Sequence, residues 1–130
     1  MPDNLKQSYE NLCKAYLKLQ QFLKEDNNTE LSRAGIVHAY EFTFELFWKF
    51  LQKYLEYLGI LEEHGPNGVI KIGFQNGYLE DGQAYMDMLR DRNLITHTYK
   101  EEMAKEIYTR IKNTHIYTIE KFVEKFKNII

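Results

Sequence analysis

Between positions 92 and 99 the chain reads Arg92-Asn93-Leu94-Ile95-Thr96-His97-Thr98-Tyr99, which places a permanent cation, a titrating base and a phenol in one short segment. Phosphate chemistry uses these groups. A guanidinium forks onto two phosphate oxygens and stays charged at any relevant pH, and an imidazole takes and returns a proton near neutrality. Arg92 is therefore the candidate phosphate ligand, His97 the candidate acid or base, and Asn93 a candidate for orienting a phosphate oxygen. Tyr99 adds a hydroxyl that can itself be modified. Arg90 and Lys100 extend the positive charge, either as a local RNA-binding patch or as an ordinary solvated face.

Spacing constrains how such a segment is held. Residues five apart on one continuous helix point about 140° away from each other, so the segment is expected to straddle a helix end. Thr98-Tyr99-Lys100-Glu101 fits a capping box, in which the Thr hydroxyl accepts from the third helical amide and the Glu reaches back to the Thr amide. A final helix is predicted to begin near Thr98.

Arg92, polar Asn93, three further residues, His97 and then x-Tyr99 resemble the signature of the HEPN family of prokaryotic nucleotide-binding and RNase domains. Within that family the chain is most similar to the HepT-like toxins, also described as the substrate-binding subunit of two-component nucleotidyltransferases. The stretch from His38 through Phe42, Phe44, Phe47 and Trp48 to Lys49 resembles that group's long second helix, so the likeness covers nearly the whole chain.

The resemblance implies metal-independent RNA cleavage that needs no cofactor, with tRNA or mRNA as substrate. The ribose 2′-hydroxyl attacks its adjacent phosphate, leaving a cyclic phosphate and a free 5′-hydroxyl. It further implies a homodimer, and a partner nucleotidyltransferase antitoxin that uses ATP to adenylylate Tyr99. Phosphate placed there would neutralise Arg92 and block the groove. The residues themselves leave a second function open, a non-catalytic substrate- or nucleotide-binding subunit in which His97 moves no proton. They also leave a purely structural bundle open.

One imidazole is poorly placed to deprotonate a nucleophile and protonate a leaving oxygen on opposite sides of one phosphorus. Two copies of His97 across a two-fold axis would supply both protonation states. Arg92 itself has a bland reading, because it lies seven, four and three positions beyond Tyr85, Met88 and Leu89 on an apolar stripe. A cation there needs a counter-charge, and Glu41 or Asp91 could supply it. Glu41 is the weaker site candidate, since its ridge could face a groove or simply water.

Composition bounds the alternatives. At 130 residues and 44% hydrophobic content the chain is one domain, 1–130, able to bury a core unaided. Its single cysteine, Cys13, and the absence of a charged-then-apolar leader point to a reducing cytoplasm. No apolar run approaches the roughly 20 residues of a membrane span. A net charge of −2 argues against broad nucleic-acid binding, so any RNA contact should be local. The four histidines occur singly, Cys13 has no CxxC partner, and no phosphate-binding glycine loop or GxSxG elbow is present. His38, His64 and His115 read as packing or surface residues.

The elements that must position the segment are all helical. Leu5, Tyr9, Leu12, Tyr16, Leu19 and Leu23 form a stripe on a first helix of about residues 4–26. Val37, Tyr40, Phe44, Phe47, Leu51, Tyr54 and Leu58 form one on a second, from about Glu30 to Leu58, with Gly59 as its stop. Ile36, Phe42, Leu46, Trp48, Phe50 and Leu55 widen that face beyond what one neighbour covers, which suggests self-association. A short third helix from Pro66 to Asn76, a fourth from Gly82 to Arg92 capped by Asp81, and a last from about Tyr99 to Lys127 complete the set. The predicted architecture is an all-α, up-and-down bundle of four main helices plus one short helix, homodimeric.

Overall fold

The computed structural model of the chain describes residues 1–97 and 100–130, and every side chain among them except those of Thr96 and His97. Its central element is the longest amphipathic pattern of the sequence, α2 (Glu30–Leu58). The Thr29 hydroxyl accepts from the Ser32 amide at 3.1 Å to start it, and Gly59 at φ 73° ends it in the left-handed conformation that a Cβ disfavours. The helix α1 (Asp3–Lys24) packs along α2 and buries Leu5, Leu12, Tyr16 and Leu19.

Pro66 sits in the first turn of α3 (Gly65–Gln75), a short helix laid between α2 and α4 (Gly82–His97). Asp81 caps α4 by accepting from the Ala84 amide at 3.2 Å. The chain then returns as α5 (Glu101–Arg110), a five-residue π-turn at Ile111–His115, and α6 (Ile116–Lys127), one continuous helical run over 101–127. Phe122 and Phe126 of α6 meet Phe47, Phe50 and Tyr54 of α2 edge-on, with ring centroids 4.8 to 6.0 Å apart. Among the described residues there is no strand, and four long helical runs plus the short α3 make an up-and-down bundle. Among the described residues no helix is long and apolar enough to cross a membrane.

One expected boundary moves. α4 runs on to His97 instead of stopping at Arg92, because nothing between Gly82 and Lys100 is a glycine or proline to break it. The last helix begins at Glu101 with Lys100 at its N-cap, within a few residues of the expected start, and the capping box rests on Thr98. Thr98 itself lies outside the described residues.

The wide apolar face of α2 is largely covered from inside the chain. Ile36, Phe50 and Leu55 are fully buried, Leu46 and Trp48 pack half-buried against the core, and only Phe42 is well exposed. Four neighbouring helices explain the width that was expected to imply a second copy.

Candidate functional site

Tyr85, Met88 and Leu89 are buried, which turns their face of α4 inward, and Arg92 continues that face one turn further on. No core is left there to receive it. Its side chain, 23% exposed, instead crosses to α2, where Nη2 forms an ion pair with Oε1 of Glu45, itself 26% exposed. Glu45 Oε2 accepts from Trp48 Nε1 at 3.1 Å, one turn along the same helix. Arg92 Nη1 donates to Asn93 Oδ1 at 3.2 Å.

The expected counter-charge for Arg92 was Glu41 or Asp91, and the structure gives it to Glu45 instead. Glu41 stands one turn earlier and half-exposed, while Asp91 points about 100° away around α4 into other contacts. The lock on Arg92 is also incomplete. Arg92 Nε is buried with no hydrogen-bond partner among the described residues, while Glu45 Oε1 has only its ion pair with Arg92 Nη2. A guanidinium with a spare, desolvated N–H can take an oxyanion, provided the anion competes with Glu45.

The other sequence candidates fall in several places. Asn93 is exposed beside Arg92. Arg90 points roughly 200° from Arg92 and lines a cleft of about 360 Å³ with Asp87, Asp91, Glu106 and Arg110. Lys100 is exposed at the start of α5. The His97 side chain and Tyr99 lie outside the described residues.

Sequence reading missed a second polar cluster on the neighbouring face of α4. Asp91, 2% exposed, accepts from Arg110 Nε at 2.8 Å and Nη2 at 2.7 Å, and pairs with His115 Nε2 at 2.7 Å. Burial alone would push the Asp91 carboxyl up, but the hydrogen bonds from His115 and Arg110 hold it below the usual carboxylate range. The same pairing pushes the Arg110 guanidinium up. The His115 ring also stacks on Tyr40, with centroids 5.3 Å apart, and the Tyr40 hydroxyl donates to the Met88 carbonyl at 2.6 Å.

Arg110 and His115 repeat the Arg-x4-His spacing of Arg92 and His97. In a regular helix they would diverge by about 140°. The π-turn, closing i→i+5 bonds, brings both over the same carboxylate. Both are turned onto Asp91, with the Arg110 fork filled and His115 bonded through Nε2 while its buried Nδ1 has no partner among the described residues. The spacing alone therefore does not make a site. The available signal was His115 on the apolar stripe of the last helix, which marked it as buried without naming its partner.

Comparison with known proteins agrees with this architecture. The profile of the family described as nucleotidyltransferase substrate binding protein like matches residues 7–128. A crystal structure of a protein from Thermus thermophilus superposes with a TM-score of 0.79 at 31% identity, covering 88% of this chain and 97% of that one. Among curated proteins none matches the chain.

Proposed function

From the premise that this chain belongs to the nucleotidyltransferase substrate binding protein-like family, we propose that it works beside a nucleotidyltransferase and that Arg92, Asn93 and His97 form a phosphodiester site. The observation that carries this reading is the inward-facing, incompletely satisfied Arg92 guanidinium, held on α4 against Glu45. The activity is endoribonuclease cleavage. The 2′-oxygen attacks the adjacent phosphorus, the 5′-oxygen leaves, Arg92 takes up charge building on the phosphate oxygens, and His97 moves the proton. Arg90 and Lys100 supply local RNA contacts.

Because α4 runs unbroken from Arg92 to His97 and turns them about 140° apart, the two meet at one phosphate across a two-fold dimer, which brings both copies of each residue together and so also supplies the second imidazole. The partner silences the site by transferring AMP from ATP to Tyr99, whose hydroxyl attacks the α-phosphorus and expels pyrophosphate. Arg92→Ala and His97→Ala proteins are expected to keep wild-type helicity and lose RNA cleavage; cleavage at the wild-type rate removes the site. Intact mass after incubation with the partner and ATP is expected to gain one or more AMP units, and a gain that survives Tyr99→Phe removes that role.

A second reading is favoured by the family's description and by Glu45, which already neutralises Arg92. In it the chain is a non-catalytic subunit that presents substrate to the nucleotidyltransferase. Growth arrest on expression that depends on His97 supports the RNase, whereas harmless expression together with partner-dependent nucleotide transfer supports the subunit.

A further inference from the structure

Past Leu89, α4 has no fully buried apolar side chain among the described residues, since Leu94 and Ile95 are only half-buried. The part of the helix that carries Arg92 must be held some other way. Three polar contacts fall within one turn of it. Tyr40 donates to the Met88 carbonyl, which by α-helical pairing is also the acceptor for the Arg92 amide. Arg110 and His115 grip Asp91, and Glu45 meets Arg92.

Asp91 and Arg92 are adjacent and about 100° apart around the helix. The first is tied to Arg110 at the end of α5 and to His115 of the π-turn, and the second to α2, by pairs of opposite polarity. Rolling α4 by even a fraction of that angle would break one pair to strain the other. We propose that Asp91, clamped by Arg110 and His115, is the positioning residue that sets the roll of α4 and so fixes the direction in which the Arg92 guanidinium points. The proposal rests on the reading of Arg92 as the phosphate ligand, and its consequence for catalysis is orientation, where a displacement of about 1 Å can cost on the order of 100-fold.

The test has one readout that needs no activity. The chain has four arginines, so the Arg92 Nε–H resonance can be identified by its loss in Arg92→Lys. In folded Asp91→Asn and in Arg110→Gln this resonance is expected to shift or broaden, and kcat for RNA cleavage to fall at least about 10-fold with KM held within about threefold. Leu12→Ala, a core change on α1 that destabilises without touching α4, is expected to leave the resonance in place. An unmoved Arg92 signal in a folded Asp91→Asn or Arg110→Gln protein overturns the proposal, as does an equal shift in Leu12→Ala. Should Asp91→Asn fail to fold, the half-exposed Arg110→Gln decides. A wild-type protein that cuts no RNA sinks the RNase reading alone, because the resonance still judges the clamp.

Discussion

At the scale of single residues, two carboxylates on different elements decide what α4 can do. Glu45 is the counter-charge of Arg92, and on the proposed reading a phosphate ligand would have to displace it. Glu45→Ala should therefore bind a short RNA more tightly than wild type in a titration, while losing about 1–3 kcal/mol of stability from the unpaired, half-buried guanidinium. Asp91 is the opposite case, since it is needed where it is and faces no ligand. Its folded pKa lies below its ordinary value near 3.9, so its contribution is complete above that value and disappears as pH falls through the folded one. Asp91→Asn is expected to cost about 3 kcal/mol at pH 7, and its melting temperature should decline less steeply between about pH 5 and pH 3 than that of wild type. Of this arrangement only the participants near position 92 could be read from the sequence. Glu45 is 47 positions from Arg92 and Asp91 is 24 from His115, and pairings at such range leave no periodic trace.

At the scale of elements, most boundaries follow from local chemistry that can be read directly. The Thr29 cap, the left-handed Gly59, Pro66 in a first turn and the Asp81 cap all act where the sequence places them. The end of α4 departs from expectation for a reason of another kind. Facing Arg92 and His97 of one chain toward one ligand requires a break between them, yet Leu94, Ile95 and Thr96 continue the helix without interruption, so the proposed site needs these residues from two copies. The π-turn is equally hidden, because Ala104, Tyr108, Ile111 and His115 also fit an ordinary apolar stripe. It makes an unusual prediction. Removing exposed Asn113 would turn the π-turn into α-helix and leave Arg110 and the histidine four apart, still on one face, with α5 and α6 in register. That deletion should cost no more than about 1 kcal/mol, whereas deleting Glu120 rotates everything beyond it by about 100° and should unfold the protein; thermal melts of the two compare them directly.

At the scale of the whole molecule, the surface of α2 bears on assembly. Leu31, His38, Phe42, Glu45 and Lys49 recur along its outer side at steps of seven, four, three and four, the pattern of a helix seam, and Leu31 and Phe42 are 84% and 56% exposed. A second copy docked along this seam would cover both and bring two Arg92–Glu45 pairs close together. Phe42→Glu should then convert a dimer into a monomer in sedimentation at micromolar concentration without loss of helicity, and a Phe42→Glu protein that remains dimeric moves the interface elsewhere. The chain also holds one tryptophan, and its indole is bonded to the same Glu45 that restrains Arg92. Emission from this single indole, excited at wavelengths the ten tyrosines barely absorb, therefore gauges ligand binding at Arg92 without any label: drawing the guanidinium onto an oxyanion alters the carboxylate beside the ring, and the glow of the native protein changes with each increment of ligand in wild type and stays constant in Arg92→Met.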